Sequence, residues 1–189
     1  MSQQLVVINV KNIIKILPLE KLQILKEDII LSIKPTLLHD CLVILKNHIL
    51  FQFKTLQCIS GADYPYKKYR FKIIYELLSY NYNSRVRVKT FTHELLGIRS
   101  CNLIFDSSSW YECEIWDMFG IFFVLHDYLK RILTDYGFEG YPLRKDFPLS
   151  GFIEARFNNF QKRVANEVIE LYQEYRIFDF LSTWQIQKF

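Results

Sequence analysis

The chain has 189 residues, enough for one domain of ordinary size with a real core. Half of its residues are hydrophobic and 16% are aromatic, while the net charge of +4 is spread over interspersed acids and bases, not gathered on one face as a nucleic-acid binder would have it. Cys41, Cys58, Cys101 and Cys113 show neither C-x-x-C nor Cys–His ligand spacing, which argues against an iron–sulfur or zinc centre held by this chain alone and for buried thiols in a reducing compartment.

Residues 5–17 place Leu5, Ile8, Ile13 and Ile16 at helical spacing, and Pro18 stops the segment. Asn9, Lys11, Asn12 and Lys15 interrupt it, so it falls short of the ~18–20 clean apolar residues that cross a membrane. The N-terminus has no basic leader or Arg/Ser-rich amphipathic pattern. Heavy use of Ile, Phe, Tyr, Lys and Asn suggests an AT-rich genome such as an organelle's.

Short strands are expected at 22–25 and 29–33 around the polar break Lys26-Glu27-Asp28. Pro35 suits the first turn of a helix, and Leu37, Leu38, Cys41, Leu42 and Leu45 make one buried face ending near Asn47. A strand at 51–59 is closed by a loop, Ser60-Gly61-Ala62-Asp63. The clearest strand covers 69–77, where Tyr69, Phe71, Ile73, Tyr75 and Leu77 alternate with Arg70, Lys72, Ile74 and Glu76. A turn at 80–83 leads into 84–91 and completes an antiparallel hairpin. Short helical pieces fill 93–105. The next helix starts near Asp106–Ser109 with Ser109-x-x-Glu112 in capping-box spacing, and Tyr111, Ile115, Met118 and Phe122 form its buried stripe. Residues 164–175 share a helical face, and an aromatic tail through Phe178, Phe180 and Trp184 follows. The fold class is α+β: helices packed on a mixed, largely antiparallel sheet in residues 1–132, then an extended segment over 133–189.

The organising stretch is 110–152. It holds four of the six glycines (Gly120, Gly137, Gly140, Gly151) and two of the five prolines (Pro142, Pro148), with Tyr136, Phe138, Tyr141, Phe147 and Phe152 between them. Beyond Leu133 no helical or strand period survives for roughly twenty residues, longer than an ordinary connection. Disordered segments are poor in aromatics, so this ribbon needs a surface to lie on, and another chain supplies what its own domain does not.

The candidate chemistry is thin. Glu114 and Asp117 at i,i+3 form a potential acid–base pair with His126 nearby in sequence, but a solvated or ion-paired helix face, with Lys130 or Arg131 as partner, is the plainer reading. Gly137-x-x-Gly140 fits no phosphate-binding fingerprint. Arg85, Arg87 and Lys89 beside Tyr80 and Tyr82 give an alternative function, a small basic RNA-binding protein using the 80–91 hairpin, against which stands a solvated strand face.

WYECEIWDMFGIFF (110–123) and LKRILTDYGFEGYPLRKDFPLSGF (129–152) resemble the signature of the subunit 9, or 30-kilodalton, family of respiratory complex I, NADH:ubiquinone oxidoreductase. The resemblance extends through ISGADYP (59–65), RFKIIYELLSYNYNSRVRVKT (70–90), scattered matches over 162–180 and the closing STW (182–184). It implies a non-catalytic core subunit of the peripheral arm, on the matrix side of the mitochondrial inner membrane. No catalytic, cofactor or metal residue is expected in this chain; NADH, FMN, iron–sulfur clusters and ubiquinone belong to other subunits. The implied partners are the large quinone-chamber subunit and neighbouring iron–sulfur subunits, with no nucleic acid and no membrane span. The expected contact residues are Trp116, Asp117, Arg131, Asp135, Tyr136, Phe138, Tyr141, Arg144, Lys145, Asp146, Phe147 and Trp184. The chain departs from the family's usual pattern at Cys113 (Arg), Tyr141 (His), Val168 and Thr183 (Pro), and in His126-Asp127-Tyr128-Leu129-Lys130 (His-Pro-Asp-Leu-Arg).

Overall fold

Alternation of apolar and polar residues builds the centre of the protein. The computed structural model describes residues 13–25 and 28–170. Strands β4 (Phe71–Ser79) and β5 (Ser84–Thr92) alternate buried and less buried residues along their length and pair antiparallel, with Ser79 opposite Ser84 across the turn. On the outer side of β4 lies β3 (Thr55–Asp63), antiparallel. On the outer side of β5 lies β2 (Asp28–Ser32), parallel, followed by β1 (Lys21–Leu25), antiparallel. The sheet order β1-β2-β5-β4-β3 is mixed and largely antiparallel, the α+β arrangement expected from the sequence.

One face of this sheet carries the core. Ile29, Leu31, Ile73, Tyr75, Leu77 and Val88 are buried on it, and two helices close over it. Helix α1 (Leu38–Asn47) contributes Leu38, Cys41, Leu42 and Leu45, the face predicted for it. Helix α2 (Ser108–Phe119) contributes Ile115 and Phe119. Each large apolar side chain so buried stabilises the fold by roughly 1.5–3 kcal/mol. Short parallel strands β6 (Ile98–Arg99) and β7 (Phe123–Val124) tie the two ends of α2 together.

Several sequence expectations change. Ser60-Gly61-Ala62-Asp63 is strand, not loop, and β3 starts at Thr55 because Phe51 and Phe53 are buried in the turn before it. Turn-forming residues stay extended here for tertiary reasons: the Phe119 ring lies over Gly61, where a Cβ would come within 2.8 Å of it, and Arg70 grips Asp63. The stretch 93–105 contains β6 and turns, not helical pieces. The capping box does not form: Ser107 occupies the N-cap position without a side-chain capping bond, and Glu112 points into the core. The stripe on α2 holds for Ile115, which is buried, and for Tyr111 and Met118, which pack against the core, but it ends in the buried Phe119, and Phe122 is half exposed beyond the helix end. Residues 13–16 are helical; the rest of the predicted 5–17 helix lies outside the described residues. No described helix is long and apolar enough to cross a membrane.

The chain divides into two compact units, residues 1–146 and 147–189. The sequence reading drew its boundary after 132, and residues 133–146 fall within the first unit. In the second, β8 (Ile153–Asn158) and β9 (Arg163–Val168) form an antiparallel hairpin. Residues 164–168 are therefore strand, not helix; cross-strand pairs such as Phe157–Val164 and Ile153–Val168 use the apolar residues that had suggested a helical face. Residues 171–175 and Trp184 lie outside the described residues.

Candidate partner-binding site

Helix α2 ends in Gly120, whose φ of 73° and ψ of 31° give the left-handed cap that only glycine adopts without strain. The chain leaves through β7 and returns across the helix C-terminus as an irregular strap, residues 131–146. Three carboxylates and one guanidinium hold it.

Asp117, fully buried on the last turn of α2, accepts hydrogen bonds from the backbone N–H groups of Ile132 (3.1 Å), Leu133 (2.7 Å) and Thr134 (2.9 Å). The Thr134 hydroxyl donates to it at 2.7 Å and Arg131 Nη1 at 3.2 Å. Burial alone would raise its pKa, but bonds from the Thr134 hydroxyl and the Leu133, Thr134 and Ile132 N–H groups outweigh burial and hold it below the usual aspartate value. Arg131 also donates to the Gly140 carbonyl at 2.9 Å and stacks over Tyr141 at 5.0 Å and Phe138 at 6.0 Å.

Arg144 closes the far end. Its Nε donates to the Phe119 carbonyl at 2.6 Å, its Nη1 pairs with Glu94, and its guanidinium covers Tyr141 at 4.4 Å and Phe71 at 5.2 Å. Next to it the Lys145 N–H donates to Asp63 at 2.9 Å. Asp63 is itself gripped by both ends of Arg70, at 2.7 and 2.9 Å, and Arg70 reaches on to Asp146 at 3.0 Å. Burial pushes the Asp63 carboxyl up, and the Arg70 and Lys145 bonds more than reverse the effect. Trp116 packs edge-on against both Phe122 and Tyr141, each at 6.0 Å.

Of the sequence-expected contact residues, Trp116, Asp117, Arg131, Tyr141, Arg144, Lys145 and Asp146 are thus brought into one network, with the Arg131 guanidinium over Phe138. Asp135 caps the next residue through Tyr136 N–H at 2.7 Å, and Tyr136 projects fully into solvent. Phe147 belongs to the second unit, where it packs edge-on against Phe152 at 5.3 Å. Asp63, Arg70 and Glu94 are not among the expected contact residues; the only local signal for them is charge, in segments expected as loop, strand and short helix respectively.

The candidate catalytic residues are not brought together. Glu114 is exposed, Asp117 is saturated by five donors, and His126 is locked elsewhere. The His126 Nδ1 accepts the Tyr128 N–H at 3.1 Å, and its Nε2 faces the Ser109 carbonyl at 3.3 Å and the Glu112 carboxyl at 4.0 Å. Cys113 donates to the Tyr128 carbonyl at 3.4 Å. These contacts organise the loop after β7. On the 84–92 strand, Arg87 is paired with Glu76 at 2.8 Å, and the Tyr82 hydroxyl donates to the Ile49 carbonyl at 2.8 Å.

Glu112 is a second buried carboxylate with a different role. Ser100 Oγ donates to it at 2.6 Å and the Cys101 N–H at 2.7 Å. Here burial prevails over Ser100, Cys101 and His126, and the pKa is raised. A raised folded pKa means that its contribution is fully present below the unfolded value and is lost as pH rises through the folded one. Glu112→Gln is therefore expected to leave the melting temperature at pH 7 equal to or above wild type. Glu112→Ala, which strands the Cys101 N–H and opens a cavity, is expected to cost about 3 kcal/mol. A thermal melt in which Gln is as damaging as Ala would refute this account.

Fold and contacts define a class: an α+β domain carrying an ordered aromatic strap. The family described as respiratory-chain NADH dehydrogenase, 30 Kd subunit, matches residues 31–153, and the chain belongs to that family. It is 49% identical over 92% of its length to NADH-ubiquinone oxidoreductase subunit 9 of Reclinomonas americana, covering 86% of that protein. It is 52% identical over 78% of its length to NADH dehydrogenase (ubiquinone) iron-sulfur protein 3 of Beta trigyna, covering 77% of it. Among solved structures, a subunit of an archaeal respiratory complex, the membrane-bound sulfane sulfur reductase, shares the fold with a TM-score of 0.65 at 23% identity, over 74% of this chain and 84% of that one. The trypsin-resistant fragment (1–134) of Nqo5 does so with a TM-score of 0.51 at 21% identity, over 64% and 99%.

The name of the second relative mentions iron and sulfur. The described residues of this chain do not fit a cluster: they contain no group of three His, Cys, Asp or Glu able to hold a metal.

Proposed function

We propose that this chain is a structural, non-catalytic subunit of the peripheral arm of a respiratory NADH:ubiquinone oxidoreductase, on the matrix side of the mitochondrial inner membrane. The observation that carries the reading is its 49% identity over 92% of the chain to a protein named for that complex. NADH, flavin, clusters and quinone are then handled by neighbouring subunits, chiefly the large quinone-chamber subunit on the strap side. This chain serves the reaction by position, since coupled electron transfer requires fixed spacing between cofactors. The strap supports this: its backbone is fixed by Asp117, Arg144 and Asp63, while Tyr136, Leu133 and Leu143 face outward. An ordered backbone with one exposed aromatic flanked by exposed leucines is preorganised for a protein partner.

Tyr136→Ala tests it. The side chain is fully exposed in this chain, so the melting temperature of the isolated protein is expected to stay unchanged. Loss of an aromatic anchor costs about 2–4 kcal/mol, or roughly 30- to 1,000-fold in affinity, and so depletes the chain from the active complex on native gels. Wild-type co-migration of the variant with NADH dehydrogenase activity would remove the strap from the interface.

A further inference from the structure

Among the described residues helices α1 and α2 cover one face of the five-stranded sheet, and the register sets the residues of the other face in rows. One row runs Lys21, Ser32, Lys89, Ile74 and Ser60 across β1, β2, β5, β4 and β3; the next runs Gln23, Ile30, Arg87, Glu76 and Cys58. Lys72 stands opposite Phe91, and Arg85 opposite Leu78. The cations Lys21, Lys72, Arg85, Arg87 and Lys89 outnumber the carboxylates Asp28 and Glu76, and Glu76 is taken by Arg87. Lys72 lies over the rings of Tyr64 at 5.7 Å and Phe91 at 5.9 Å. Among the described residues neither Lys72 nor Lys89 has an ion pair. Burial, then repulsion from Lys72 and Arg87, hold the Lys89 ammonium below the ordinary lysine pKa.

A sheet face turned to water is ordinary when it is polar. This one interleaves the unpaired cations with half-buried Ile74, Leu78 and Phe91 beside a fully buried Ile30, a mixture that neither water nor an apolar layer satisfies. We propose that this face docks an acidic amphipathic helix of a neighbouring subunit, whose carboxylates meet Lys72 and Lys89 while its apolar stripe covers Ile74, Leu78 and Phe91. Diagonal neighbours on adjacent strands stand ~7–8 Å apart, a separation that carboxylates one helical turn apart can span. Nucleic acid is the poorer occupant, because Glu76 and the apolar residues interrupt any path for a phosphate backbone.

The inference rests on the assembly reading above, and the experiment separates the two. The native complex containing the full chain is treated with a carbodiimide, which joins lysine amines to carboxylates already in contact, and digests are read by mass spectrometry. The expected products join Lys72 or Lys89 to Asp or Glu of one helical-period segment in another subunit, with both lysines losing their reactivity to acetylation relative to the free chain. Lys72→Gln with Lys89→Gln is expected to lose these products. The proposal is overturned if both lysines acetylate in the complex as fast as in the free chain. It is also overturned if they couple only to this chain's own carboxylates, or if ultraviolet light links the face to RNA. A chain absent from the complex altogether sinks the assembly reading instead.

Discussion

Asp117→Ala is expected to release the strap. Removing the carboxylate leaves three backbone N–H groups, the Thr134 hydroxyl and Arg131 without their shared acceptor. Truncating one partner of a buried, charged network costs about 3–5 kcal/mol, and the half-exposed strap can recover part of that by hydration, so about 3 kcal/mol is the expected loss. Asp117→Asn is expected to be nearly as damaging despite its matching shape, because an amide presents donors to donors. The direct measurement is limited trypsin digestion: cleavage at Arg131, Arg144 and Lys145 should accelerate strongly in both variants. The pH dependence carries a matching signature. The Asp117 and Asp63 carboxyls lie below the ordinary value in the folded chain, so their contribution is present above about pH 4 and is lost as pH falls through the folded pKa. Wild-type strap protection should therefore collapse on acidification, while Asp117→Ala shows little further loss from that site. Unchanged proteolysis in both variants would mean that the strap is held by its aromatics, not by this carboxylate.

The same residues explain what was legible in the sequence. The β4–β5 hairpin and α1 announce themselves because their periodicity is a local record of a single buried face, and the structure uses it except at the ends, where Tyr69 is half exposed before β4 and Leu37 half-buried before α1. Asp117 and Glu112 carry no such record. Five positions apart on one helix, Glu112 looks like a capping-box partner and Asp117 like a solvated helix-face acid, yet Asp117 accepts from a strap fourteen residues or more downstream and Glu112 from the Ser100–Cys101 turn. Whether a carboxylate is buried is decided by which donors the tertiary fold delivers, and a helical wheel does not contain them. Gly61 and Asp63 fail for the same reason: turn propensity is weak beside the ring of Phe119 and the guanidinium of Arg70. Residues 133–146 were rightly seen as aperiodic. Their aromatic content pointed to a surface beneath them, and part of that surface is supplied by their own domain through Trp116 and Phe71. A cut after 133 would therefore remove donors of Asp117 and the Lys145 contact to Asp63, and would damage the domain left behind.

Gly120→Ala joins backbone and strap in a single substitution. A non-glycine residue in the left-handed region costs about 1–2 kcal/mol. The added Cβ would also come within 2.6 Å of both Arg144 Nη2 and the Tyr141 ring, and overpacking of this kind costs about 1–3 kcal/mol more. Arg144 cannot simply swing aside, since its Nε is bonded to the Phe119 carbonyl and its Nη1 to Glu94. The expected destabilisation is therefore about 2–5 kcal/mol, a fall of roughly 5–15 °C in melting temperature for a chain of this size. Gly120→Asn separates the two causes, because asparagine tolerates the left-handed conformation but still carries a Cβ. If close approach dominates, Asn is nearly as harmful as Ala, and adding Arg144→Ala to Gly120→Ala costs less than the sum of the single changes. If Asn restores wild-type stability, conformational strain alone accounts for the glycine. In that case the strap does not lean on the end of α2, and its exposed Tyr136 loses the fixed platform that makes it ready for a partner.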